Sequence, residues 1–382
     1  MRVAFVSESA PGDLKAFSGI PYFMADAFRA RVDHMEYIYA PMFDWKIMLS
    51  FPSEGRLALQ TLGQSVSETL RGLRVDVVVC QGSSMIPFLD TSKPVVLWHD
   101  STWQCLLQVN ADELKLRHPL LWEWDESVFH KCVLIAFAAE WVRDQSLTNY
   151  LVDSRKLRVV PFGANICAPP VCNVTRAIEA RQRQPCQLAF IGIDWRRKGL
   201  TTAYALANRL CSDGYATQLN VIGTEHNVSA DWGIEPFTSP KLFDAQIRND
   251  TNVHIAGFLD KTNPTDLDSF IGILSTSHFL VHPANFECFG IALTEANALG
   301  VPVLASDSQG PRTIVRNGMN GHLFSLEGFV AEAATVVKNY LNDYNSYTLL
   351  AKRARHEYDA RLNWDTSVAD LLKAIRQILK VQ

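Results

Sequence analysis

The chain has 382 residues, enough for two domains of ordinary size, and 48% are hydrophobic against 20% charged, which excludes a mostly disordered chain. Its 36 Lys and Arg against 40 Asp and Glu leave a net charge of −4, which argues against nucleic-acid binding through a broad basic surface. The 8 cysteines (80, 105, 132, 167, 172, 186, 211 and 288) include no C-x-x-C pair, so buried reduced thiols of a cytosolic protein are expected rather than zinc or a redox pair.

The opening MRVAFVSESAPGD has an apolar run too short for a signal peptide. No uninterrupted run of about 18 apolar residues follows, so no membrane span is expected. Strands are predicted at Val3–Ser7, Tyr37–Tyr39, Val75–Cys80, Val95–Trp98, Val133–Phe137 and Arg158–Pro161. A second series is predicted at Gln187–Ile191, Gln218–Ile222, Val253–Ala256, Phe279–Val281 and Val301–Ala305. These runs are apolar throughout rather than alternating, as strands buried on both faces of a parallel sheet should be. Helix-sized amphipathic stretches separate them, which reads as a doubly wound α/β fold occurring twice. Residues 161–185, with Pro161, Pro169, Pro170 and Pro185, read as the interdomain connection. Val368, Leu371, Leu372, Ile375, Ile378 and Leu379 recur at helical spacing and predict a terminal helix over 364–379. Asn173 and Asn227 head Asn-x-Ser/Thr triplets that a cytosolic chain leaves unused.

Ligands of open α/β sheets bind beyond the carboxyl ends of the strands, so the loops there hold the candidate chemistry. After the first strand, SESAPGDLKAFSGIPYF puts Gly19 before a helix with Pro21 near its start; it is not a G-x-G-x-x-G fingerprint, and dinucleotide binding of that kind is not supported. PVVLWHDSTW puts His99 and Asp100 at a strand end, where a histidine serves a ligand or simply hydrogen-bonds within the fold. The stretch with Phe43, Trp45, Lys46, Met48, Leu49 and Phe51 is either core of a long βα connection or an apolar loop approaching a membrane or an acceptor.

In the second half, FIGIDWRRKGL places Arg196, Arg197 and Lys198 between a strand end and the helix opened by Gly199. The cations either neutralise a diphosphate leaving group or form a solvated basic loop. In HFLVHPANFECFGIALTEANALGVPVLAS, Glu287 lies in a loop and Gly290 opens a helix whose N-terminus suits a phosphate. Glu295 in that helix suits a vicinal diol such as ribose; the alternative is a first-turn carboxylate complementing the helix dipole. Asp266-Leu267-Asp268 resembles a metal-binding pair, but Asn263-Pro264-Thr265 before it marks a helix start, so no metal is expected.

These segments resemble retaining glycosyltransferases of family four, which have the GT-B fold. Glu287 and Glu295 within FECFGIALTEANALGVPVLAS match that family's paired-glutamate motif, and FIGIDWRRKGL looks like its diphosphate-binding loop. SGIPYFMADAF resembles its first glycine loop and helix, WHDST its cleft histidine segment, and KLRVVPFGAN the strand closing its N-terminal domain. The resemblance implies two Rossmann-like domains facing each other across a cleft: residues 1–165 binding acceptor, residues 166–360 binding nucleotide sugar, and a terminal helix over 361–382 returning to the first. It implies a hexose moved with retention, without metal or other cofactor, from a UDP- or GDP-sugar to a hydroxyl of a glycan, lipid-linked or small-molecule acceptor. Lys198 and one of Arg196 or Arg197 would hold the diphosphate, Glu295 the ribose, and Glu287 the sugar hydroxyls. The backbone of Phe289, Gly290 and Ile291 would approach sugar and phosphates, His99 the donor sugar, Gly19 the phosphate, and the backbone at Phe258 the base. The chain departs from the family in having Ile193 where many members carry Arg after the loop glycine. An epimerase or phosphorylase of the same fold, or a non-catalytic sugar-nucleotide-binding subunit, are the alternatives. A cytoplasmic location is expected, with peripheral contact at the cytoplasmic membrane face left open.

Overall fold

The computed structural model describes residues 1–106, 118–223 and 245–380, so Asn227 lies outside the described residues, as do the side chains of Trp45, Lys46 and Leu49. The chain forms two compact units: Met1–Phe162 joined by the segment from Trp364, and the described residues from Gly163 to Asn363.

The first unit is built on a six-stranded sheet of β1 (Arg2–Ser7), β2 (His34–Tyr39), β3 (Val77–Cys80), β4 (Val95–His99), β5 (Leu134–Phe137) and β6 (Leu157–Val159), in the order β2-β1-β3-β4-β5-β6. All its pairings are parallel. The central β3 and β5 are buried at every position while edge strand β2 is mostly half-exposed, as the unbroken apolar runs require. The helix Trp364–Leu379 belongs to this unit: the Trp364 ring stacks on Phe162 at 5.4 Å and meets Trp98 edge-on at 5.7 Å. Val368, Leu371, Leu372 and Ile375 of this helix are buried. In the apolar stretch after β2, Met48 is buried and Phe51 is exposed.

The second unit carries β7 (Cys186–Ile191), β8 (Thr217–Ile222), β9 (Val253–Gly257), β10 (Phe279–His282), β11 (Val303–Ser306) and β12 (Gly321–Phe324), in the order β12-β11-β10-β7-β8-β9. Read from β9, this is the doubly wound order in which succession reverses between the unit's first and fourth strands, here β7 and β10. Phe279 pairs with Leu188 and Leu280 with Ala189, so the carboxyl ends of β7 and β10 open side by side. Every strand expected from the sequence is present; β12 was not expected, because GHLF offers only two strongly apolar residues.

Two expectations need correction. Residues 163–185 are part of the second unit rather than a free connection: Val171–Ala180 is a helix that buries Val174 and Ile178. The cysteines are free but not all buried: Cys167 and Cys172 are exposed, Cys211 and Cys288 half-buried. Among the described residues no helix is long and apolar enough to cross a membrane.

Arg181, at the end of helix Val171–Ala180, is 7% exposed and ties this unit together. Its guanidinium donates to the carbonyls of Ser275 (2.9 Å), Leu299 (3.0 Å) and Gly300 (2.9 Å) and to the Tyr347 hydroxyl (2.8 Å). Leu299 and Gly300 follow helix Ile291–Ala298, so Arg181 satisfies carbonyls at that helix's carboxyl end. Arg181→Met should therefore strand buried carbonyls and cost about 3 kcal/mol. Urea unfolding of the variant should show the second unit's transition at lower denaturant; an unchanged transition would contradict this role.

Candidate active site

The carboxyl ends of β7 and β10 bring together the cation loop and the first glutamate. After β7, Asp194 caps a single helical turn, Trp195–Lys198, by accepting from the Arg197 N–H at 3.2 Å. Gly199 ends that turn with φ +83°, and a Cβ there would stand 2.2 Å from the carbonyl oxygen of Pro283 in the β10 loop. Only glycine lets the two loops meet this closely. Arg197 donates to the Phe286 carbonyl (2.7 Å) and pairs with Asp194 (3.1 Å), while the Asn285 N–H donates to the Arg197 carbonyl (2.9 Å). Arg196 points elsewhere: it is exposed and lies over the Trp195 ring, 5.1 Å from its centroid. The geometry thus separates the two arginines that the sequence left open.

Lys198 pairs with Glu287, and the same carboxylate oxygen takes a 3.0 Å hydrogen bond from His282 Nε2. The two side chains of the ion pair are 17% and 11% exposed. Burial pushes the Glu287 carboxyl up, but Lys198, the His282 hydrogen bond and Arg197 outweigh it and hold the group well below the usual carboxylate range. Burial lowers the pKa of fully buried His282, with Glu287 opposing. His282 is therefore neutral near pH 7 and donates Nε2–H to Glu287, leaving Nδ1 as an acceptor; Nδ1 has no hydrogen-bond partner among the described residues. Just beyond, Gly290 (φ +106°) starts helix Ile291–Ala298, whose first N–H groups and dipole offer an anion site. Phe289 is buried and Ile291 half-buried beside it.

Glu295 is the fifth residue of that helix, and no acidic residue occupies its first turn. The reading of Glu295 as a first-turn dipole partner is therefore set aside. It is 1% exposed and pairs with Lys261 at 2.5 Å. Phe258, just after β9, is 39% exposed. Asp266 lies in the first turn of helix Pro264–Thr276 and accepts from the Asp260 N–H at 3.0 Å, which accounts for it locally. Among the described residues no group of three His, Cys, Asp or Glu side chains is arranged to hold a metal ion. Asp194, Lys261 and His282 belong to these networks and were not singled out from the sequence. Asp194 was legible as a cap three residues before Arg197; Lys261 and His282 needed the fold.

The first unit places Gly19 and His99 at the carboxyl edge of its own sheet. Gly19, buried with φ +89°, caps helix Ile20–Arg29 after two further positive-φ residues, Phe17 and Ser18. Glu8, beyond β1, accepts from the backbone N–H (3.1 Å) and hydroxyl (2.5 Å) of Ser84, beyond β3. His99 ends β4, with Nδ1 3.2 Å from the Ser101 N–H and 3.6 Å from Asp100. Behind that segment, buried Asp125 accepts from the Trp103 N–H (2.9 Å) and the Tyr150 hydroxyl (2.5 Å). Burial pushes the Asp125 carboxyl up to about 7 despite these hydrogen bonds.

Residues 174–357 match the family model described as Glycosyl transferases group 1. A glycogen synthase of Mycobacterium tuberculosis is 26% identical over 182 residues, 48% of this chain and 40% of that protein. A GDP-mannose-dependent alpha-mannosyltransferase of Mycolicibacterium smegmatis is 35% identical over 74 residues, 19% of this chain and 20% of that protein. The chain thus covers well under half the length of these relatives. In fold it is similar to Anabaena HepE, solved in complex with UDP, at TM-score 0.67 and 16% identity, covering 99% of this chain and 100% of that one. It is equally similar to the sucrose-phosphate synthase of Thermosynechococcus elongatus, at TM-score 0.67 and 15% identity with full coverage of both chains. These likenesses establish the two-domain α/β GT-B fold.

The buried Asp125 carboxyl generates a stability prediction. It keeps its proton when folded up to about pH 7, whereas an unfolded aspartate releases it near pH ~3.9. Its folded pKa is raised, so the unfolded state loses the proton first and stability contributed by this group declines as pH rises from about 4 to 7. Asp125→Asn, neutral throughout, should remove that decline. Denaturation midpoints of both proteins across this range should converge toward low pH and separate toward pH 7, the variant being the less pH-sensitive; parallel profiles would contradict it.

Proposed function

With residues 174–357 a Glycosyl transferases group 1 domain of the family-four type on a GT-B fold, we propose that the chain is a glycosyltransferase using a nucleotide-sugar donor. The reading is a metal-independent, retaining hexosyltransferase acting from a UDP- or GDP-sugar onto a hydroxyl of a glycan, lipid-linked or small-molecule acceptor. The observation that carries it is the convergence of Arg197, Lys198, Glu287 and the Gly290 helix start at the switch point between β7 and β10. HepE was solved with UDP, and the mannosyltransferase is named for GDP-mannose, which keeps both bases in the reading.

In this reading the diphosphate lies at the N–H groups opening helix Ile291–Ala298 and takes positive charge from Lys198 and Arg197. The bond between the anomeric carbon and the phosphate oxygen breaks, and its electron pair leaves with the diphosphate. The acceptor oxygen bonds to the same face of that carbon, and its proton passes to a leaving phosphate oxygen. Lys198 and Arg197 stabilise the charge that develops there, which is the electrostatic work a metal ion does elsewhere. Glu287, kept ionised by Lys198 and His282, accepts hydrogen bonds from donor sugar hydroxyls. Glu295 accepts from the ribose, and the Phe258 backbone meets the base. The single turn Trp195–Lys198 favours Arg197 over Arg196 as the second cation.

Lys198→Ala and Glu295→Ala should each fold and lose sugar transfer, Lys198→Ala by roughly 10²–10³-fold, the usual cost of removing one charge-stabilising donor. Transfer is measured with UDP-glucose and GDP-mannose in EDTA against an acceptor panel, following nucleotide release and product. Near-wild-type transfer by either variant would overturn its assigned role. Activity that appears only when a divalent cation is added would overturn metal independence.

A further inference from the structure

Lys261 has no role in the reaction proposed above, yet it touches the buried end of the site. It lies in the six-residue loop 258–263 between β9 and helix Pro264–Thr276. Its ammonium stands 2.5 Å from Glu295 Oε1 and 4.5 Å from the centroid of the Phe270 ring. Glu295 is nearly fully buried, so without a cation its ionised form would be costly. The loop holding Lys261 is itself tied down. The Asp260 N–H donates to Asp266 (3.0 Å), the Thr262 N–H and hydroxyl donate to Asp260 Oδ1 (2.9 and 2.6 Å), and the Asn263 N–H donates to the Asp260 carbonyl (2.8 Å). The Asp266 carboxylate, first met as a metal-like D-x-D, thus holds the loop that aims Lys261.

We propose that Lys261 is the positioning residue that makes this site select ribonucleotides. The inference rests on the reading of Glu295 as the ribose carboxylate. Lys261 holds Glu295 by one oxygen, so that the carboxylate presents a fixed acceptor to a vicinal diol. Because Lys261 and Phe258 share one short loop, the base contact and the ribose contact are set by the same rigid segment.

The test is calorimetry in EDTA with UDP, GDP and ADP, each beside its 2′-deoxy counterpart, and with inorganic pyrophosphate. Wild type should bind its preferred ribonucleotide about tenfold or more tightly than the deoxy form, as a hydrogen bond to a charged group allows. Lys261→Met should bring that ratio to within about twofold while pyrophosphate affinity stays the same, and Lys261→Arg should restore it, because the variant again presents a cation to Glu295. Should Lys261→Met fail to fold, Lys261→Gln is read by the same ratio. A wild-type ratio in both neutral variants would overturn the proposal and leave Lys261 a structural partner. Wild type that binds ribo and deoxy forms equally would overturn the ribose assignment of Glu295 and Lys261 while sparing the diphosphate site. Binding of no nucleoside diphosphate by wild type would overturn the proposed function itself, and this inference with it.

Discussion

A buried ion pair across the reversal of strand order organises the second unit's chemistry. Lys198 follows β7 and Glu287 follows β10, and their pairing joins the two loops at the one place where neighbouring strands send their connections in opposite directions. Such a pair gains little for stability on its own, since desolvating two charges offsets much of their attraction. Its physical consequence is preorganisation. The cation is held at a strand end beside a helix N-terminus, and the carboxylate is held ionised by Lys198 on one side and His282 on the other. Gly199 permits the arrangement, because any side chain there would collide with the Pro283 carbonyl.

A second layer fixes that layout. Arg181 and Arg355 both reach carbonyls at the far end of helix Ile291–Ala298: Arg181 to Leu299 and Gly300, Arg355 to Ala298 at 2.7 Å. The helix that presents Gly290 at one end and buries Glu295 in its second turn is thereby anchored at the other. Lys261, held by the Asp260 and Asp266 loop, completes the surroundings of Glu295. The aim of the two glutamates is set by cations and backbone groups that the reacting sugar would not touch, the kind of support that precise sites require.

Much of this was legible in the residues. Unbroken apolar runs such as VVVC and FLV located strands buried on both faces, and Gly290 and Gly199 marked where loops must turn into helices. The Arg-Lys loop and Glu287 were read as following strand ends, and those two strands, β7 and β10, lie side by side. What stayed hidden depended on contacts distant in sequence. Lys261 and Glu295 are 34 positions apart, Arg181 and Tyr347 are 166 apart, and no periodicity reports such pairings. The short β12 was hidden because GHLF has neither length nor continuous apolar character. Residues 163–185 misled because Pro169, Pro170 and Pro185 suggested a linker, whereas Val174 and Ile178 are spaced to bury one face of a helix. Arg196 and Arg197 are equivalent in sequence; only the turn capped by Asp194 separates an exposed guanidinium from one bound to the β10 loop.

The central claim is that the junction of β7 and β10 is a diphosphate site that works without a metal ion. The most direct measurement is a crystal structure of the wild-type chain grown with UDP or GDP in EDTA. The account predicts the diphosphate at the N–H groups that open helix Ile291–Ala298, within hydrogen-bond reach of Lys198 and Arg197, and the ribose against Glu295. A nucleotide bound away from these residues, or phosphates reached only through an added divalent cation, would contradict it.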